Sequence, residues 1–448
     1  ADFTWVDVNG QNYLGPIHKQ FLPSWCGDCW AYNTATAIAD RYRIVNHNQG
    51  VLPEMSNQIL NSCDKYSRGC WGGSSPLAYK FIYEHGITDT SCSYFAGRGW
   101  TNGFNCEDRA ICWDCTETEG SCEMPKTFNM YHLEEYGVVK GEQEMMSEIY
   151  ARGPITCGLD SHAPGFHTYT GGIYTGDPSY QTLTHYIEVV GWGEDNGTPY
   201  WWIKNTFGAE WGMDGYMKLI RGKNNLGIES FHCGWGVPAK DPVKVPASSK
   251  YAYDAIHGVT DKVSEKVPED DAERKLMYKK YGIFNDLIHE SKQPKGFFRA
   301  APSSEEQLRQ SLLSLVDSNS GELPTELDST VLPQTFSWAA KDGSNYISSM
   351  DYNQNSPHRC NASWAISTLS ALSDRFTINK GLTHPKLALG VQSLINCAPN
   401  KANCLGGTPE DVYNFMATTG APDMSCNLYM GADPSDAVCS AIQFCKNC

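Results

Sequence analysis

Residues Trp25-Cys26-Gly27-Asp28-Cys29-Trp30 stand directly ahead of a helix-like stretch that reaches Val45. One cysteine here is a candidate nucleophile and its neighbour a candidate disulfide partner. Trp30 to Ile44 is rich in Ala, Ile and Tyr at helical spacing, which puts Cys29 in the first turn. The partial positive charge of a helix start stabilises a thiolate, and an adjacent imidazolium lowers the thiol pKa further. The matching imidazole is His185, in Thr184-His185-Tyr186-Ile187-Glu188-Val189-Val190-Gly191-Trp192-Gly193. A side-chain amide, Asn205, follows the strand-like Tyr200-Trp201-Trp202-Ile203 and sits in Lys204-Asn205-Thr206-Phe207-Gly208. Two adjacent strands would present that pair on one edge, with His185 sharing the thiol proton and Asn205 holding the ring. Gln20, nine residues before Cys29, offers amide hydrogens to an oxyanion beside the Cys29 backbone N–H. Gly72-Gly73 would let an extended peptide come close to the backbone, although a bare Gly pair is also a turn signal.

Composition narrows the setting. A length of 448 residues implies two or three domains, and 41% hydrophobic with 12% aromatic residues suits globular ones. A formal net charge of −16 argues against nucleic acid or an acidic membrane surface as partner. No stretch approaches the ~18–20 apolar residues of a membrane span. No basic start leads into an apolar run at Ala1, so a processed chain is expected. The 18 cysteines form two clusters, Cys26 to Cys233 and Cys360 to Cys448, the signature of an oxidising compartment. With Cys29 a free thiol, the first cluster leaves an even number that can all pair. Two rivals exist: thiol redox chemistry at Cys26-x-x-Cys29, and zinc at Cys112-x-x-Cys115, which lacks a second ligand pair at zinc-finger spacing. Neither a metal nor a cofactor is expected. Asn196-Gly197-Thr198 and Asn361-Ala362-Ser363 are N-glycosylation acceptor patterns.

The chain repeats itself at an offset of 333–334 residues. Phe3-Thr4-Trp5 returns as Phe336-Ser337-Trp338, and Cys26-x-x-Cys29-Trp30-Ala31 as Cys360-x-x-Ser363-Trp364-Ala365. Gln20 returns as Gln354, Asp40-Arg41 as Asp374-Arg375, Gly72-Gly73 as Gly406-Gly407 and Ser91-Cys92 as Ser425-Cys426. The second copy stops at Cys448, the counterpart of Cys115, and has nothing matching His185 or Asn205. Its seven cysteines are an odd number, so continuation past Cys448 or cleavage there is expected. Residues 238–268 read as a linker. Helical patterns follow over Glu269–Lys292 and from Ser303, where Ser303 and Glu306 have capping-box spacing. They read as a structured tether or as a prosegment of the second copy.

Residues 1 to about 236 resemble the papain family of cysteine proteases, and within it the cathepsin X (or Z) group. The Cys26-to-Trp30 motif, which departs from the family pattern at Asp28, the His185-to-Asn205 interval and Trp211-Gly212 carry the family likeness. The Gln20-to-Cys29 spacing, Gly153-Pro154-Ile155-x-Cys157-Gly158 and Tyr169-Thr170-Gly171-Gly172-Ile173-Tyr174 carry the subgroup. The resemblance implies an α+β fold with a helical left domain, a β-rich right domain and a cleft between. It implies Cys29 as nucleophile, His185 as acid/base, Asn205 as orienting residue and Gln20 in the oxyanion hole. It also implies disulfides Cys26–Cys70, Cys63–Cys106 and Cys157–Cys233, with Cys92–Cys112 and Cys115–Cys122 less securely placed.

Enzymes of this group are carboxypeptidases because a short loop narrows the primed side of the cleft, and Phe21-Leu22-Pro23-Ser24 matches it in length. Phe21 stands where the family has the histidine that grips the substrate carboxylate, and Phe207 where it has a shielding tryptophan. Gly72, Gly73, Phe21, Leu22, Pro23 and Trp211 are therefore the candidate substrate-binding residues. The expected organisation is a peptidase domain at 1–237, a linker or prosegment-like helical region at 238–333 and a degenerate papain-like left-domain half at 334–448. Ser363 occupies the nucleophile position of that half, and a hydroxyl is far less acidic than a thiol. The expected partner is a peptide or protein substrate, with a partner chain or self-association through the second copy left open. The expected location is the secretory route, lysosomal, vacuolar or extracellular. A non-catalytic scaffold that reuses a protease fold is the alternative reading.

Overall fold

The computed structural model describes residues 2–115, 122–247, 333, 335–347, 352–382, 386–398, 402–433 and 439–445. The helical patterns at 269–292 and 303–316, and Cys448, lie outside the described residues.

The first helix, α1 (Cys29–Val45), is buried on every side from Cys29 to Arg43. Small residues Ala31, Ala35, Ala37 and Ala39 let neighbours approach, and its polar residues face partners rather than water. Against one side lie α2 (Gln58–Cys63) and α3 (Ser75–His85), sharing a core with Ile38, Leu60, Tyr79, Phe81 and Ile82. A short α4 (Asp108–Ile111) completes this helical half.

The β-rich half is one eight-stranded sheet. Its path runs β3 (Leu133–Val139), β9 (Cys233–Pro238), β4 (Ile155–Leu159), β6 (His185–Asp195), β7 (Thr198–Lys204), β8 (Tyr216–Ile220) and β5 (Ile173–Tyr174). β1 (Phe3–Thr4) pairs with β6 off this path, and α5 (Glu142–Arg152) packs on the sheet. β2 (Thr127–Met130) and β10 (Val243–Pro246) form a separate ribbon. β6 is buried from His185 to Gly193, which explains its continuous rather than alternating apolar run. Val189, Trp201, Ile203, Met217, Leu219 and Phe166 form the core here.

The second copy builds only helices among its described residues: α6 (Ser363–Lys380), α7 (Val391–Cys397), α8 (Pro409–Thr418) and α9 (Ala441–Phe444). Trp364, Leu369, Val391, Leu394, Val412 and Phe415 form its core. Thr408 caps α8 in a reciprocal box with Asp411. α6 matches α1 residue for residue, yet Ser367, Ala371 and Arg375 are exposed where Asn33, Ala37 and Arg41 are buried. The difference is the sheet: β4, β6 and β9 cover α1.

Eight disulfides hold the described residues. Cys26–Cys70, Cys63–Cys106, Cys92–Cys112, Cys115–Cys122 and Cys157–Cys233 lie in the first copy. Cys360–Cys404, Cys397–Cys439 and Cys426–Cys445 lie in the second. The zinc reading of Cys112 and Cys115 is thereby corrected, since both sulfurs are consumed in disulfides. The Cys26–Cys29 redox reading is corrected likewise, because Cys26 is bonded to Cys70.

Candidate active site

Cys29 opens α1 at the junction of the two halves, and among the described residues it is the cysteine left outside the disulfides. His185 opens β6 and Asn205 follows the last residue of β7, so the antiparallel pairing of these strands sets them side by side. His185 Nε2 donates to Asn205 Oδ1 at 2.9 Å. That bond occupies Nε2 and leaves Nδ1 as the ring's remaining acceptor. Asn205 is held by its backbone N–H on Gly215 O at 3.0 Å, and its Oδ1 also accepts from Thr206 N at 2.8 Å.

Asn33, one turn beyond Cys29, links the walls. Its Nδ2 donates to Cys29 O at 3.0 Å and to Tyr186 O at 2.8 Å. The helix of Cys29 and the strand of His185 are thus tied by one buried amide, each bond contributing about 1 kcal/mol. A second tie is ionic. Asp40 on α1 accepts from Lys204 Nζ at 2.7 Å and from Arg43 at 3.0 Å, and Lys204 immediately precedes Asn205. Arg41 supplies the third, donating to Pro154 O (2.7 Å), Gly153 O (3.0 Å), Gly236 O (3.2 Å) and Glu148 Oε1 (2.9 Å). Asn33, Asp40, Arg41 and Lys204 escaped sequence reasoning as site residues. The one signal was the return of Asp40-Arg41 as Asp374-Arg375.

Asp28, the departure from the family motif, is fully buried. Its Oδ2 accepts from Asn57 Nδ2 at 2.7 Å and Asn61 Nδ2 at 2.8 Å, both from the α2 region. Gln20 lies in the turn that follows the Lys19–Phe207 bridge, ahead of Cys29. Its backbone N–H donates to Thr206 O (3.0 Å), and its Oε1 accepts from Thr206 Oγ1 (2.8 Å). One amide hydrogen goes to Cys26 O at 3.0 Å.

Aromatic rings roof the imidazole. Phe207 lies 4.7 Å from the His185 ring, Phe166 lies 6.1 Å away, and Trp211 packs edge-on to Phe207 at 5.7 Å. His167 stacks on Phe207 at 5.6 Å, and Phe21 packs against it from the loop side at 5.2 Å. Burial in this cage pushes the His185 pKa down to about 4, with the charge of His167 adding to the fall and the Asn205 bond opposing it. Since the folded ring binds a proton less readily than the unfolded one, protonating it costs native stability. That loss begins as pH falls below the ordinary imidazole value and is complete below about 4.

The remaining candidates divide. Phe21 and Trp211 reach the imidazole roof as described, whereas Leu22 is 2% exposed and offers no surface to a substrate. Ser24 Oγ donates to Gly97 O, which anchors the loop to the helical half. Gly73 is required by packing: a Cβ there would stand 2.4 Å from the Trp30 ring. Gly407 meets Trp364 in the same way at 2.6 Å. Gly72 has φ of +101°, a conformation that favours glycine. Ser363 opens α6 and is exposed, as are Asn361 and Asn196.

A thiol, an imidazole–amide pair and a two-walled α+β frame define a cysteine hydrolase. The family model for papain family cysteine proteases matches residues 2–234 and again 332–447, and the chain belongs to that family. It is a cysteine peptidase with the papain-like fold. Cathepsin Z of Onchocerca volvulus is 34% identical over 244 residues, 52% of this chain and 76% of that protein. Cathepsin B-like cysteine proteinase 4 of Caenorhabditis elegans is 29% identical over 238 residues, 48% and 68% of the two chains. Among solved structures, proCathepsin B S9 from Trypanosoma congolense is 28% identical with a TM-score of 0.42, covering 54% of this chain and 77% of that one.

Proposed function

We propose that Cys29 attacks peptide carbonyls as a thiolate, with His185 as acid and base, Asn205 as its orienting residue and Gln20 in the oxyanion site. The observation that carries this is the 2.9 Å bond from His185 Nε2 to Asn205 Oδ1, beside an unbridged cysteine at a helix start. The Cys29 proton passes to His185 Nδ1. A buried imidazolium is tolerated only beside an anion, so thiolate and imidazolium form and vanish as a pair. The thiolate attacks the carbonyl carbon, and the oxyanion receives the second amide hydrogen of Gln20 and the Cys29 N–H. Nδ1 then protonates the leaving amine, and water hydrolyses the thioester. A papain-directed epoxide or diazomethane probe should label Cys29; an accessible but unlabelled thiol would overturn the assignment.

Asp28 sets a negative charge one residue from the sulfur, and its field is felt at Tyr32, whose hydroxyl pKa it raises in addition to the larger effect of burial. A like charge opposes a thiolate. Asp28→Ser should therefore move the acid limb of the kcat/KM profile to lower pH. An unmoved limb would mean that the amide dipoles of Asn57 and Asn61 already screen the charge from the sulfur.

The resemblance to cathepsin Z supports carboxypeptidase action, but Phe21 cannot bond a carboxylate. We read the primed side as weakly selective, so peptides with free and amidated C-termini should be cleaved within about tenfold of each other. Phe21→His should shift the ratio toward the free carboxylate by ~10-fold, the size of one charge-assisted hydrogen bond. Assay of matched peptide pairs measures it.

We read the chain as a peptidase unit, a linker or prosegment-like region and a half-copy at 334–448; the first boundary, expected at 237, moves to about 247 because β10 pairs with β2. Ser363 at the nucleophile position supports an inactive second copy. Eight disulfides and exposed acceptor asparagines at 196 and 361 support glycosylation and a secretory destination, lysosomal, vacuolar or extracellular.

A further inference from the structure

The two copies touch through equivalent surfaces, and the contacts are reciprocal. At the offset of 334, His18, Lys19, Thr90, Ser91, Tyr94 and Phe95 correspond to Tyr352, Asn353, Met424, Ser425, Leu428 and Tyr429. In one direction, Asn353 Nδ2 donates to Ser91 O at 3.3 Å, and Tyr352 shares a cavity with Thr90, Tyr94 and Phe95. In the other, Met424, Ser425 and Leu428 line a small pocket with His18 and Lys19. Leu428 also packs on the cluster of Cys26, Tyr32, Cys70 and Phe95. Residue i of one copy meets the counterpart of j in the other, and j meets the counterpart of i. That is the pattern of a twofold, self-complementary interface.

We propose that this face of the papain-like unit is a self-association surface, and that residues 335–445 occupy it within the chain in place of a second copy of residues 2–247. Rings dominate its middle: Tyr352 and Tyr429 lie 5.6 Å apart, facing Tyr32 and Phe95, themselves 5.2 Å apart. Such central aromatic anchors carry most of the energy of an interface. Other contacts lie outside this reciprocal pattern, such as Gln49 Nε2 donating to Gly343 O at 3.3 Å. Ala209 N donates to Ser425 Oγ at 3.0 Å, and Ala209 lies two residues past Phe207 in the β-rich half. The half-copy thus grips both halves of the peptidase at once. Against it, Lys386 is buried in the seam with no hydrogen-bond partner for Nζ among the described residues.

The test uses the full chain with a protease recognition site placed between residues 280 and 300. After cleavage, sedimentation should show the two pieces still together, one to one, at micromolar concentration. Leu428→Asp should release the C-terminal piece, and the freed N-terminal piece should then sediment as a dimer. Asn353→Asp, a half-buried change that spares the core, sets a carboxylate against Ser91 O and should weaken the association at least several-fold. Lys386→Met should instead tighten it. Pieces that part after cleavage without any substitution overturn the proposal. So does a freed N-terminal piece that remains monomeric across the concentration range.

Discussion

Cys29→Ala is expected to lower kcat for peptide hydrolysis by roughly 10⁴-fold or more, with KM little changed. The magnitude follows from what the substitution leaves. In the proposed mechanism Gln20, the Cys29 N–H and the cleft walls would still bind substrate and stabilise an oxyanion, so a residual rate above that of water is expected. No other described cysteine can substitute, because the other described cysteines are all in disulfides. Combining Cys29→Ala with His185→Ala should cost little beyond either alone, since thiol and imidazole act as a unit. Initial rates on a fluorogenic peptide, with probe labelling as control, measure the effect. A multiplicative loss in the double variant would mean that the two groups work separately.

Arg41→Met should destabilise the first copy by ~3–5 kcal/mol and lower its melting temperature by roughly 10 °C. The guanidinium is fully buried and donates to the Gly153, Pro154 and Gly236 carbonyls across the seam. Removing it takes away its bonds to three carbonyls and half of the Glu148 pairing, although Arg152 still holds Glu148. The molecule supplies its own control. Arg375 stands at the equivalent place on α6 but is exposed, so Arg375→Met should change stability by no more than about 0.5 kcal/mol. Calorimetry on both variants decides it. Equal effects would show that the helix, not the sheet it grips, sets the value of this arginine.

The contrast between Arg41 and Arg375 shows where sequence reading stops. Both follow aspartate in the same pattern, and nothing local tells one from the other. The same limit hid Asn33, a polar residue in the middle of a helix that is indistinguishable from a solvent-facing one until β6 is set against it. Asp28 read only as a departure, because the amides that clasp it come from positions 57 and 61. Leu22 read as cleft-lining from loop length alone, and packing turned it inward. Gly73 read as substrate access, and the Trp30 ring adds a packing requirement that the sequence did not reveal.

Cys29, His185 and Asn205 are legible in the amino-acid sequence because each sits in a local motif, and local motifs survive in one dimension. The duplication and the cysteine parity are equally plain, being matters of spacing and counting. Only the folded chain decided that a buried amide and a buried ion pair lock the thiol's helix to the imidazole's strands. It alone brought Asn353 onto Ser91, 262 residues apart, and made the two copies meet through matching faces. Such contacts follow from shape and charge complementarity between surfaces, which no spacing along the chain records.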